Sequence, residues 1–330
     1  MARNHLVAVI GTGSIGMRHL EVLRQIVGVR TVAIPWRQER IHDLKKAGYA
    51  VVERLEDAVC WGATLGIVAT DTGRHVDDGL AAVENGLDVL VEKPMSTTAP
   101  EARRLWRAAD AAGRKIFVGC VLRFSESLNT FRTLLGSIGP LHSVRIECQS
   151  YLPDWRPARS YKDCYSARAG EGGVLRDLIH EIDYAGWLYG WPVALQARVR
   201  NLGRLGIASE ETAELMWEAL EGCLVSVSLD YLSRPFRRRM SASGTLGTLE
   251  WDGIEGTVTL AFSECPAQVI RSIQTRDEMF GSQAHAFISS SEEIGDPRLA
   301  TAKDGIKALA ICDAARRAST SGREERVDYQ

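Results

Sequence analysis

The stretch His5-Leu-Val-Ala-Val-Ile10-Gly11-Thr12-Gly13-Ser14-Ile15-Gly16 decides the reading of the N-terminal part of the chain. His5–Ile10 is a strand-like apolar run that ends in Gly11, and residues 14–27 then repeat apolar side chains (Ile15, Leu20, Leu23, Ile26) at helical spacing. A Gly-x-Gly-x-x-Gly between a strand and a helix has a physical meaning. Gly11 permits a tight turn, Gly13 lets backbone approach a pyrophosphate, and Gly16 allows close helix–strand packing. The N–H groups and positive dipole end of the helix face the same anion. Gly11, Thr12, Gly13, Ser14, Ile15 and Gly16 are therefore assigned to a dinucleotide.

Working outward, residues 31–34, 50–52, 65–69, 89–92 and 115–118 read as further strands. Helical stretches near 55–60, 75–85 and 100–112 lie between them. Alternation of this kind implies right-handed crossovers and a parallel sheet. Past Val121 the texture changes. A helix near 126–135 leads to a strand at 141–149, an aromatic and basic loop at 151–169, and a helix over 173–189. Strands at 196–202, 212–220, 223–229, 237–243, 248–251 and 257–262 follow in succession, which fits a largely antiparallel sheet. A last helix spans 301–319. The fold class is α/β, with a dinucleotide-binding domain over 1–121 and a second α/β domain over 122–330. At 330 residues two cores are expected rather than one.

Composition excludes several classes. Forty basic against 42 acidic side chains give a net charge of -2, which offers no reason to expect nucleic acid or a membrane surface as partner. No apolar run reaches the length of a bilayer span, and no secretory signal precedes the first strand. Seven cysteines without a Cys-x-x-Cys pair read neither as a disulfide framework nor as a zinc site, so no metal is expected. A cytoplasmic protein is the resulting expectation.

The acid that would hold a ribose 2′-hydroxyl should close the second strand. That stretch reads Ile34-Pro-Trp-Arg37-Gln-Glu-Arg40, with no carboxylate at the expected place. Arg37 and Arg40 suit a 2′-phosphate, which favours NADP and leaves NAD as the alternative. Further on, Glu92-Lys93-Pro94 closes a strand and puts Lys93 at the carboxyl edge of the sheet, where an ammonium can stabilise a developing alkoxide. In residues 172–184, Asp177, His180, Glu181 and Tyr184 fall in one arc of a continuous helix, with Leu175, Leu178, Ile179, Ile182 and Tyr189 on the side facing the core. A histidine with a nearby carboxylate is what a general base and its orienting partner require. Asp183 points elsewhere and reads as structural. Within the loop at 151–169, Trp155, Arg156, Arg159 and Tyr161 combine ring faces with cations, which suits a phosphorylated, nucleotide-linked or acidic sugar. Arg234 to Arg239 forms a second basic cluster, expected on the solvent face and edge of a strand.

Taken together, these stretches resemble the Gfo/Idh/MocA oxidoreductases, the group of glucose-fructose oxidoreductase and inositol dehydrogenases. The resemblance covers nearly the whole chain: the glycine motif, Val68-Ala-Thr70 with His75, Glu92-Lys93-Pro94, Arg123-Phe124, the Gly-Gly…Asp177…His180 segment and Gly244-Thr-Leu-Gly247. It implies a Rossmann domain followed by an α/β domain with a large open sheet used for dimer or tetramer contacts. It places the catalytic lysine, aspartate and histidine on Lys93, Asp177 and His180, although the two acid–base residues stand three apart where the family has four. Thr70, His75, Glu92 and Lys93 join the cofactor site, and Lys93, Arg123 and His180 join the substrate residues. The implied activity is hydride transfer between a sugar-like alcohol carbon and a nicotinamide. Two alternatives stay open: a glycosidase or lyase with transient sugar oxidation, and a non-catalytic cofactor sensor.

Overall fold

The computed structural model describes residues 5–157, 159–290 and 295–330. It divides into two compact units, Met1–Val121 with Thr275–Ile306, and Leu122–Gln274 with Lys307–Gln330.

In the first unit, strands β1 (His5–Ile10), β2 (Val29–Ile34), β3 (Leu65–Val68), β4 (Asp88–Val91) and β5 (Ile116–Val118) form a parallel sheet in the order 5-4-3-1-2. A short strand, Ala300–Thr301, adds antiparallel to β5 at the edge. The strands are short and apolar because helices cover both faces, so Val7, Ala8, Val9, Ile67, Val68, Val89 and Leu90 are all fully buried. The strand order reverses between β1 and β3, the position where open α/β sheets bind ligands. Residues 50–52 form only a single bridge, Ala33 to Val51, in place of the expected strand.

Helices α1 (Ser14–Leu23), α2 (Arg40–Lys46), α3 (Leu55–Cys60), α4 (His75–Glu84) and α5 (Ala99–Ala111) complete the first part. The Thr98 side chain caps α5 at the Glu101 N–H, and Pro100 stands in its first turn, where the missing N–H costs nothing. A late helix, α9 (Arg276–Ser289), also belongs here, although the sequence reading left all of 122–330 in the second domain. Its contacts explain the difference. Phe280 joins Val22 and Val121 in one apolar cluster, and Arg18 pairs with Asp277 at 2.8 Å. A Thr275/Glu278 capping box starts this helix.

The second unit is built on a nine-stranded sheet. Its strands are β6 (Leu141–Gln149), β7 (Ala194–Arg200), β8 (Thr212–Glu218), β9 (Leu224–Asp230), β10 (Arg237–Gly244), β11 (Gly247–Asp252), β12 (Thr257–Phe262), β13 (Cys265–Arg271) and the short Glu325–Arg326. Every neighbouring pair is antiparallel except β6 with β9. Alternation of buried and open positions along β6 to β12 leaves one face packed. Helix α6 (Glu126–Leu134) and the segment α7 (Val174–Asp177) with α8 (Ile179–Tyr189) lie in this unit. The last helix, α10 (Ala302–Ser321), continues into it from the first.

Two expectations change here. The basic cluster at 234–239 was placed on a strand edge, but β10 lies between β11 and β6 in the middle of the sheet. Arg238 accordingly turns inward, pairing through Nε with the fully buried Glu181 at 2.7 Å. The continuous helix over 173–189 is interrupted at Leu178 (φ −100°, ψ 30°), and α8 is buried on nearly all sides, Glu181 and Tyr184 included. The reading of a polar stripe opposite a core face therefore does not describe this segment. No helix among the described residues is long and apolar enough to cross a membrane.

Candidate active site

The glycine loop leaves β1 through Gly11, whose φ of 90° is a left-handed conformation that suits glycine. A Cβ on Gly16 would lie 2.0 Å from the Gly11 carbonyl oxygen, so only glycine lets α1 start so close to the strand. A Cβ on Gly13 would meet nothing, which leaves that side of the loop open to a ligand. Helix α1 carries no acidic side chain in its first turn, and Gly13 supplies no side-chain cap. Its positive end is thus available to an anion.

Beside the loop lies a cleft of about 230 Å³ lined by residues including Ile34, Trp36, Gln38, Glu53, Thr70 and Arg74. Trp36 is exposed, and the Arg74 guanidinium stacks on its ring at 3.5 Å. Asp78 holds Arg74 at 2.6 Å and accepts from the Thr70 hydroxyl at 2.7 Å. A flat wall, a cation and hydroxyl and carboxylate groups next to an open glycine loop fit the adenosine half of a dinucleotide. Arg40 reaches back to donate to the Thr12 carbonyl oxygen. Arg37 is exposed, and its side chain makes no hydrogen bond or ion pair among the described residues. Glu53 brings into the cleft the carboxylate that the end of β2 lacks.

His75 behaves differently from its expected place in the cofactor site. The ring is buried, with Nδ1 2.8 Å from the Pro94 carbonyl oxygen and Nε2 3.0 Å from that of Thr70. It ties the loop after β3 to the loop after β4, and so serves the site by holding its frame. Glu92 is buried as well, and accepts from His19 Nε2 at 2.7 Å and from the Lys93 backbone N–H at 3.2 Å. Burial pushes its carboxyl up, but the His19 hydrogen bond and the positive charges of His19, Lys93 and His75 outweigh it, so Glu92 lies below its ordinary value. Lys93 follows, half-buried, immediately beyond β4.

In the second unit, Asp177 ends α7 and His180 enters α8, both buried. The break at Leu178 separates them, so helical periodicity does not set their mutual orientation. Tyr231, which follows β9, donates its hydroxyl to Asp177 Oδ2 at 2.6 Å. Arg123, expected among the substrate residues, is 2% exposed and grips both oxygens of Asp183, at 2.9 and 2.7 Å, a pairing that anchors α8. In the aromatic loop, Trp155 packs edge-on against Tyr231, with centroids 5.4 Å apart. Arg156 lies over the Tyr165 ring, Arg159 donates to the Asp163 carbonyl oxygen, and the Tyr161 hydroxyl donates to that of Leu205.

Two matches identify the lineage. Residues 5–120 match the oxidoreductase family with an NAD-binding Rossmann fold, and residues 134–250 match the Gfo/Idh/MocA C-terminal domain. The chain belongs to the Gfo/Idh/MocA oxidoreductase family. Like that family it is an NAD(P)-dependent enzyme. It is 28% identical to the rhizopine catabolism protein MocA of Rhizobium meliloti, over 94% of this chain and 93% of that one. Inositol 2-dehydrogenase 2 of Saccharopolyspora erythraea is 28% identical, over 93% and 91%. Levoglucosan dehydrogenase in complex with NADH shares the fold, with a TM-score of 0.87 at 18% identity over 99% of this chain and 100% of that one.

Several residues that contact or border these candidate positions were not expected from the sequence. His19 left a signal, since it shares the buried face of α1 with Gly16, Leu20 and Leu23, and a polar ring on an apolar face needs a partner. Tyr231 left none, because its partner Asp177 stands 54 residues away in the chain.

Proposed function

We propose that this enzyme oxidises a secondary alcohol of a sugar or cyclitol, or reduces the matching ketone, with NADP as the preferred cofactor. The reading is supported by one observation: the chain carries Lys93, Asp177 and His180 together with an open glycine loop beside a cleft of the chemistry a dinucleotide needs. Bound NAD(P) supplies the hydride acceptor at its nicotinamide. His180 takes the hydroxyl proton, Asp177 orients it, and Lys93 stabilises the developing alkoxide. Arg156 and Arg159 favour a substrate with a phosphate, carboxylate or nucleotide group. The inositol and levoglucosan in the names of the relatives make polyhydroxylated rings the first compounds to try.

The preference for NADP rests on the exposed Arg37. Glu53 in the cleft favours a second reading, NAD held by a carboxylate at the ribose. As a cytoplasmic homodimer or homotetramer, the enzyme would act on a small molecule and not on nucleic acid or membrane. The test is cofactor reduction, followed by absorbance, with neutral cyclitols and sugars beside their phosphorylated, acidic and nucleotide-linked counterparts. Turnover of a polyol supports the reading, and elimination without net cofactor reduction overturns it.

A further inference from the structure

The Tyr231 phenol is held from every side within its own unit. Its backbone N–H donates to the Glu211 carbonyl oxygen at 2.9 Å, and its own carbonyl oxygen accepts from the Leu152 N–H at 3.0 Å. The side chain is fully buried. Trp155 meets the ring edge-on at 90°, and Trp155 is itself fixed by its indole N–H, which donates to Ser150 Oγ at 3.0 Å. A side chain so confined presents its hydroxyl in a single place. That place is 2.6 Å from Asp177 Oδ2, within the short range of hydrogen bonds between hydroxyls and carboxylates.

We propose that Tyr231 is the positioning residue for Asp177, fixing the rotamer of its carboxylate, and that Trp155 joins this contact to the aromatic loop. The proposal rests on the reading of Asp177 as a working carboxylate. Burial first, and Asp177 beside it second, push the phenol well above its ordinary value, so Tyr231 remains the donor throughout the neutral range. Asp177 sits at the end of a four-residue helical segment, just before the Leu178 break, where a short helix gives a side chain little local support. An external donor in the β9 extension supplies what the segment lacks.

The experiment combines proton NMR with a double-mutant cycle. The native protein should show a downfield hydroxyl proton resonance that is absent from Tyr231→Phe and moved upfield in Asp177→Asn. With myo-inositol as the probe, or the fastest-turned-over polyol of the screen, Tyr231→Phe should lower kcat about tenfold with NADPH affinity unchanged, as expected for losing one hydrogen bond to a charged group. In an Asp177→Asn background the same change should lower kcat no further. Additive losses would assign Tyr231 a structural role and overturn the proposal, as would a native spectrum without the resonance. Native turnover by Asp177→Asn alone would instead overturn the reading of the site, and the proposal with it.

Discussion

His19 Nε2 donates to Glu92 Oε1 at 2.7 Å, with both side chains out of solvent, so α1 is fastened directly to the residue before Lys93. The contact spans 73 positions of sequence and links the middle of α1 to the residue just beyond β4. Phe280 packs edge-on against the same imidazole, with centroids 5.2 Å apart, and closes it off. Removing one partner of a buried pair leaves the other unpaired in an apolar setting, at a cost of about 3 kcal/mol. His19→Ala should lower the unfolding free energy by that order and weaken NADPH binding, measured by urea unfolding and fluorescence titration.

The same pair sets a pH dependence. Glu92 lies below its ordinary value of 4.5 in the folded protein, so the unfolded chain binds the proton first as the solution is acidified. The stabilisation is therefore complete above the ordinary value and is lost as the pH falls through the lowered folded value. Native protein should be more stable than Glu92→Gln at neutral pH, and the gap should close on acidification below about pH 4. Thermal unfolding of both proteins across that range measures the gap.

Arg123 and Asp183 form the corresponding fastening in the second unit. Asp183→Asn should leave the Arg123 guanidinium buried and underpaired and destabilise the fold by about 3 kcal/mol or more. Because Arg123 faces Asp183, the KM for substrate should change little in whatever fraction remains folded. Steady-state kinetics together with denaturant unfolding separate the two effects.

The parallel sheet was legible in the sequence because its strands are buried on both faces and read as unbroken apolar runs, each followed by a helix with an apolar stripe. Gly11 and Gly16 were legible because only glycine fits their positions. Other features depend on tertiary contacts that local pattern does not encode. Helix α9 itself went unread, and with it its return to the first unit, since an apolar face does not state which core it joins. Strand β13 was missed because it is exposed almost throughout and carries Pro266, leaving no alternation to detect. The pairing of Arg123 with Asp183 was not legible either, because the two stand 60 residues apart.

Cofactor choice depends on Arg37 and Glu53. If Arg37 receives a 2′-phosphate, NADPH should bind about tenfold more tightly than NADH, a difference of about 1.4 kcal/mol. Arg37→Ala should then erase the preference by weakening NADPH alone. Equal or tighter binding of NADH by the native protein would transfer the selective role to Glu53. Parallel fluorescence titrations with the two reduced cofactors decide between them.

The most direct test of the central claim is the turnover of His180→Asn with the polyol that the native enzyme oxidises fastest. Loss of general acid–base catalysis should lower kcat by about 10²- to 10⁴-fold while the dissociation constant for NADPH stays at its native value. Turnover at the native rate would contradict the assignment of proton transfer to His180, and with it the mechanism proposed for this enzyme.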